Sequence, residues 1–194
     1  TGKSMDFCQG QEVFSDDFTP GISDEDWLGR SEGRWAAVDG TVHGQKGNKN
    51  SALWLKRPLP SKVRIEFDAR SESPHGDIKV EVFGDGSNHE SGYVLIFGGW
   101  KNSINAIARL DEHGNDRKIS RGTTVVRGRT YEMAVVRTEN ELRWYTDRNS
   151  RDLLMSYVDP APLKGKGHRH FAFNNWDVPV YFDNVRVYDL QGCQ

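Results

Sequence analysis

The feature that most constrains this chain is a two-residue period. Val63, Ile65, Phe67 and Ala69 alternate with Arg64, Glu66, Asp68 and Arg70. An extended strand sends successive side chains to opposite faces, so this pattern predicts a strand with one face buried. The period recurs at Ile78–Val82, Tyr131–Val135, Leu142–Trp144 and Arg169–Phe173, while Tyr93–Phe97 is apolar on both faces and predicts a central strand. Turn-forming clusters separate these runs: Asp39-Gly40, Ser73-Pro74-His75-Gly76, Gly84-Asp85-Gly86, His113-Gly114-Asn115-Asp116 and Lys164-Gly165-Lys166-Gly167. The best helix candidate, Ser23–Leu28, has room for only about one or two turns. Many short strands with no internal repeat predict an all-β chain, a two-sheet antiparallel sandwich of jelly-roll type.

Composition narrows the class further. A length of 194 residues suits one domain spanning 1–194, and 6 Trp, 6 Tyr and 9 Phe supply bulky core residues despite a hydrophobic fraction of 36%. Lys and Arg total 26 against 28 Asp and Glu, a net charge of -2. Such a chain has no global positive field for a phosphate backbone, so nucleic acid is not an expected partner. No apolar run approaches the ~20 residues of a membrane helix, and no basic-then-apolar leader opens the sequence, so a soluble chain with no transmembrane segment is expected. Cys8 and Cys193 lie near opposite ends without a C-x-x-C spacing. They predict a terminal disulfide and an extracellular, cell-surface or periplasmic protein; the alternative is two buried free thiols in a cytosolic one.

Three segments carry a likeness: Phe14-Ser15-Asp16-Asp17-Phe18, Trp35-Ala36-Ala37-Val38-Asp39-Gly40, and Val180-Tyr181-Phe182-Asp183-Asn184-Val185-Arg186-Val187. Together they resemble the concanavalin A-like lectin/glucanase superfamily. More narrowly they resemble bacterial laminin-G-like and 3-keto-disaccharide hydrolase-type (DUF1080-like) domains. The resemblance implies two curved sheets, terminal strands side by side in the back sheet, and sugars met on the concave face. It also implies a structural calcium ion on the back sheet, held by Asp183 with Asp16 or Asp17 and the Asp39-Gly40 turn; the plainer reading is that these groups satisfy backbone or face water. No organic cofactor is implied. Independently of the likeness, Phe182 and the pair Val185 and Val187 have opposite parity, so the period slips at Asp183-Asn184 and a bulge is expected there.

Parity also selects a candidate glycan-binding face. If Phe171 and Phe173 enter the core, His168, His170, Ala172 and Asn174 share the other face; if Ile78, Val80 and Val82 enter it, Lys79, Glu81 and Phe83 do not. Asn105, Arg109 and Asp111 are likewise expected opposite a core-facing Ile104, Ala106, Ala108 and Leu110. Trp100, in Phe97-Gly98-Gly99-Trp100-Lys101-Asn102, and Trp176, beside Asn174-Asn175, are flat platforms on which a pyranose ring can stack, or else they close the sandwich edge. Lys79, Glu81, Trp100, Asn105, Arg109, Asp111, His168, His170, Asn174 and Trp176 are thus the expected carbohydrate-binding set.

Glucanases of the superfamily carry Glu-x-Asp-x-x-Glu on one strand. The nearest match here, Glu66-Phe67-Asp68-Ala69-Arg70-Ser71, ends in Ser71 and lacks the second Glu. Glycan recognition without catalysis is the leading expectation. The alternatives are a glycoside hydrolase or lyase on the same scaffold, with Glu81, Asp111 or His170 in acid/base roles, and a protein-binding adhesion module.

Overall fold

The computed structural model describes residues 5–193, and these form fifteen strands in two antiparallel sheets. The eight-stranded sheet runs β13 (Asp152–Val158), β12 (Glu141–Asp147), β11 (Thr130–Thr138), β6 (Val63–Ser71), β15 (Val180–Asp189), β4 (Thr41–Gly44) and β3 (Trp35–Val38), with β1 (Gln11–Asp16) also paired to β15. The seven-stranded sheet runs β10 (Lys118–Ser120), β9 (Ile104–Arg109), β8 (Tyr93–Gly98), β7 (Ile78–Gly84), β14 (His170–Asn175), β5 (Ser51–Leu55) and β2 (Trp27–Leu28). This is the all-β jelly-roll sandwich that the alternation predicts. The fully buried β8 sits between β7 and β9, where its apolar faces require it to be.

The core is aromatic. Phe173 of one sheet stacks on Phe182 of the other at 4.2 Å between ring centroids, and Trp27 stacks on Phe173 at 5.5 Å. Burying each such ring contributes about 1.5–3 kcal/mol. The inward set on β6 is Val63, Ile65, Phe67 and Ala69, as the period predicts. On β15 the pairing with β6 shifts between Asp183 and Arg186, and Asn184 takes φ 51, so the expected bulge is present.

Cys8 and Cys193 are joined by a disulfide, with Cα atoms 6.3 Å apart. Beneath it the Asp6 carboxylate, fully buried, accepts from Arg143 Nε (2.6 Å), Arg143 Nη2 (2.5 Å) and the Tyr145 hydroxyl (2.6 Å). Arg64 Nη1 donates to the carbonyls of Asp6 and Cys8. The two ends of the chain are therefore clamped on the outer face of the eight-stranded sheet.

Two expected parities are corrected. On β9 it is Ile107 that joins the main core, while Ala106 and Ala108 pack with Val94 and Ile96 on the outer face. Asn105 and Arg109 consequently lie on the inward side. Because β8 is apolar on both faces it does not fix the parity of its neighbour, and small alanines suit a face that loops fold over. Phe83 also belongs to the core: it has φ 58, and β14 pairs His170 with Gly84 but Phe171 with Val82, so Phe83 is an extra residue that breaks the alternation.

Candidate functional site

A pocket of about 400 Å³ opens on the outer face of the seven-stranded sheet. Asp77 and Lys79 enter it from the start of β7, Asn50 from the segment before β5, Glu112 from the β9–β10 loop, and Trp100 and Trp176 flank it. The two indoles are 37% and 44% exposed, whereas Trp27, Trp35, Trp54 and Trp144 are buried. Exposed indoles beside a buried polar floor are the arrangement that a flat, hydroxyl-rich ligand requires.

Trp100 is presented by a left-handed turn, Gly99–Asn102, in which Trp100, Lys101 and Asn102 take φ 49, 59 and 63. Such conformations are costly for side-chain-bearing residues and persist only where surroundings hold them. The hold is visible. Asn102 Oδ1 accepts from Val125 N–H at 2.9 Å and its Nδ2 donates to the carbonyl of Val125 at 2.8 Å. Asn105 Oδ1 accepts from Gly98 N–H at 2.8 Å, and Gly98 itself has φ 70, with no room for a Cβ beside Asn102 and Val125. The Arg117 guanidinium lies over the Trp100 ring at 4.8 Å.

Buried charge lies under the pocket. Lys79 Nζ donates to Asn50 Oδ1 at 3.0 Å and pairs with Glu112 at 3.3 Å. Glu81, fully buried, accepts from Glu90 N–H (2.7 Å) and Asn174 Nδ2 (2.6 Å), and pairs with His89 Nδ1 (3.0 Å). Glu90 in turn accepts from Glu112 N–H at 2.7 Å, tying the β7–β8 loop to the β9–β10 loop across the sheet. Burial alone would lower the His89 pKa, but the Glu112 and Glu81 carboxylates override it and raise it to about 9. Burial alone would raise that of Glu112, but His89 and Lys79 override it and hold it at about 2. Asp77 goes the other way: burial raises its pKa, Lys79 opposes this, and Glu112 and Asp177 reinforce it.

The structure brings Lys79, Trp100 and Trp176 of the expected binding set to this pocket. Glu81 and Asn174 lie beside it but fully buried, bonded to each other and without an exposed edge. Asn105 is buried on the inward side and holds the Trp100 turn. Arg109 binds Asp159 at 2.8 Å at the sandwich edge, on the same carboxylate oxygen as Tyr93. Asp111 is exposed and caps His113 N–H. Glu112, which shares the parity of Ala106 and Ala108, lies on the pocket side in place of Asp111. His168 precedes β14, and His170 sits opposite Gly84, at the far end of β7 from Lys79; their Nδ1 atoms lie 3.2 Å and 2.9 Å from the carbonyls of Phe83 and Leu55. His168 and His170 therefore lie at the end of the sheet away from the pocket rather than in it.

Of the acidic set expected at the back sheet, Asp16 accepts from Phe18 N–H and Trp27 Nε1, Asp17 from Thr19 N–H, and Asp183 from Asn184 N–H. Asp39 is exposed in the β3–β4 turn. Among the described residues no three His, Cys, Asp or Glu side chains are grouped to hold a metal ion. Glu66 and Asp68, the glucanase-like pair, lie on the eight-stranded sheet and bind Arg148, away from the pocket. Asp77, two residues before Lys79 and on its parity, and the loop residues Glu112 and His89 are additions to the expected set. No helix among the described residues is long and apolar enough to cross a membrane.

No family model matches the chain, and no curated protein matches it. Solved structures do. The carbohydrate binding module CBM66 from Bacillus subtilis aligns at 16% identity over 80% of this chain and 91% of its own, with a TM-score of 0.63. The Bacillus licheniformis beta-glucanase aligns at 12% identity over 94% of this chain and 100% of its own, TM-score 0.64. The exoplasmic/lumenal domain of VIP36 in its Ca2+/Man2-bound form aligns at 10% identity over 91% of this chain and 88% of its own, TM-score 0.66. At these identities the likeness is one of architecture, and it agrees with the sheet order and the terminal motifs: the chain has the concanavalin A-like jelly-roll fold.

Proposed function

We propose that this chain is a glycan-recognition domain that takes the end of a sugar chain between Trp100 and Trp176. The observation that carries this reading is the pair of half-exposed indoles flanking a polar floor of Lys79, Asn50, Asp77 and Glu112. Indole faces stack on the C–H face of a pyranose while buried, prearranged polar groups meet its hydroxyls. The pocket volume of about 400 Å³ lies in the range of small-ligand sites. The tie between Glu90 and Glu112 crosses the sheet beside it, which favours a chain end over the middle of a polymer. Structural neighbours whose names include a carbohydrate binding module and a mannose-bound form support a sugar as the ligand. The Cys8–Cys193 disulfide supports an oxidising, extracellular or periplasmic setting.

A glycan panel displayed on a surface, probed with the purified protein, tests this. Saturable binding to a subset of glycans, weakened about tenfold or more by Trp100→Ala and by Trp176→Ala with the melting temperature kept, is the expected result. Binding that survives both substitutions places the sugar elsewhere and overturns the assignment.

A further inference from the structure

We infer that the sugar this pocket selects carries a free ammonium group, a hexosamine without its acetyl at the end of the chain, with the Asp77 carboxylate as its counter-ion between the two indoles. This rests on the reading of the pocket as a sugar site and names the kind of sugar. Five carboxyl groups are buried among the described residues: Asp6, Asp77, Glu81, Glu112 and Asp159. Four of them have a cation of their own. Asp6 pairs with Arg143 at 2.5 Å, Glu81 with His89 at 3.0 Å, Glu112 with Lys79 at 3.3 Å and Asp159 with Arg109 at 2.8 Å. Asp77 lines the pocket and is only 8% exposed, yet its carboxyl makes no hydrogen bond or ion pair with any other described residue. A buried carboxylate without a cation is strongly disfavoured, and the fold supplies one everywhere but here.

The geometry aims this carboxyl at the aromatic wall. Asp77 N–H donates to the carbonyl of Gly98 at 2.9 Å, which locks it to the strained turn that presents Trp100. Its Oδ1 lies against Gly99, the residue before Trp100, where a Cβ would stand 3.8 Å from it. The charged groups around it are Lys79, Glu112 and Asp177. Lys79 is engaged by Asn50 and Glu112. Glu112 also has His89 Nε2 at 3.8 Å and His113 Nε2 at 3.9 Å, so positive charge collects on Glu112 and not on Asp77. Asp177, exposed beside Trp176, adds a further carboxylate at the rim. Of the remaining cations, Lys49 lines the pocket but is exposed to water, and Arg117 donates to the carbonyl of Glu112 at 2.8 Å.

A sugar hydroxyl can donate to Asp77 but leaves its charge uncompensated. A protonated primary amine donates as well and cancels the charge, which makes the stronger, charge-assisted contact. The C–H face of the same sugar remains free to stack, and a cation is itself attracted to an indole face. Arg117 over the Trp100 ring at 4.8 Å already uses one indole in this way, whereas Trp176, 44% exposed, has no protein cation over its ring among the described residues. Acetylation removes the charge and replaces a compact amine with a bulkier amide, so one substituent decides the preference. Burial favours the protonated form of Asp77 in the free protein and an ammonium ion favours the carboxylate, so binding displaces that proton.

The test is a set of oligosaccharides that differ only at one position of the terminal residue: gluco- and galacto-configured chain ends, α- and β-linked, each as the free amine, as its N-acetyl derivative and with a hydroxyl in its place. Affinities of the full chain for all of them are measured by titration calorimetry, beside the surface-displayed glycan panel. At least one free amine is expected to bind about tenfold or more tightly than both of its counterparts. Its affinity should fall as pH falls through the raised pKa of Asp77. Asp77→Asn should bring the amine down to the level of its N-acetyl counterpart. Asp177→Asn, at the exposed rim, should weaken it by about threefold at most. The wild-type pH profile tests the same contact without a substitution. Amines that bind no better than their counterparts, an affinity that does not change with pH, or a panel in which other glycans bind and no amine does would each overturn the inference and leave recognition intact. A preference that survives Asp77→Asn, or an equal loss in Asp177→Asn, overturns Asp77 as the counter-ion. Failure of every glycan to bind overturns the sugar-site reading itself.

Discussion

Two buried acid-and-base clusters lie on opposite sheets of this molecule, and they are built to different specifications. At the terminal clamp, Asp6 accepts three hydrogen bonds, Arg143 makes two of them, and Arg64 pins the backbone at Asp6 and Cys8. At the pocket, Lys79 and Glu112 are paired, but Asp77 is not, and two indoles stand half exposed beside it. The polar groups of the clamp are spent on one another. Those of the pocket retain capacity, and their backbone is held in strained conformations by Asn102 and Asn105. A fully satisfied buried network specifies structure, whereas an unsatisfied one facing a cavity marks a place where something else is to bind.

Breaking the clamp should have the largest effect on folding and none on recognition. Asp6→Ala removes the fully buried carboxylate from the Arg143 guanidinium, which keeps only Glu141 and Thr138, and should cost about 3–5 kcal/mol, a fall in melting temperature of about 6–20 °C for a chain of this size. Replacing both cysteines with serine opens a loop with a sequence separation of 185 and should cost about 2–5 kcal/mol. Thermal unfolding followed by circular dichroism reads both. In each case the folded fraction should bind glycan as the wild type does; a clamp variant that folds fully yet loses binding would dissolve the contrast between the two regions.

The opposite pattern is expected at the pocket. Trp100→Ala and Trp176→Ala remove partly exposed rings, so melting should change by a few degrees at most while affinity falls about tenfold. The smallest effect is the most specific. Because the folded-state pKa of Asp77 is raised above its unfolded value, the stability it contributes is fully present below the ordinary aspartate range and is lost as pH rises through the folded value. Asp77→Asn should therefore melt slightly above the wild type at neutral pH and no longer differ from it in strong acid. A neutral-pH melting temperature lowered by Asp77→Asn would show that the carboxylate has a partner after all.

The sandwich itself was legible because alternation on β6 and the turn clusters are local signals, and the bulge at Asp183-Asn184 announced itself as a slip of that alternation. Half of the pocket was legible too: Lys79 from the period of β7, Trp100 and Trp176 as aromatic residues outside the periodic runs. The other half was less so: Asp77 precedes the periodic run of β7, and His89 and Glu112 lie in loops. The inverted face of β9 carries Glu112, not Asp111, to the pocket side with Ala106 and Ala108, and Phe83, an extra residue with positive φ opposite β14, turns into the core. The inversion of β9 has another cause, since its neighbour β8 is apolar on both faces and leaves the choice of face to the loops tied across it.

The central claim, a sugar held between two exposed indoles, is best tested by following the six indole N–H resonances of the protein in a two-dimensional nitrogen–proton correlation spectrum while a glycan selected from the panel is titrated in. The account predicts that the Trp100 and Trp176 signals shift together and saturate with the same affinity, while those of the buried Trp27, Trp35, Trp54 and Trp144 stay in place. A titration that leaves Trp100 and Trp176 unmoved while the protein binds the glycan would contradict it.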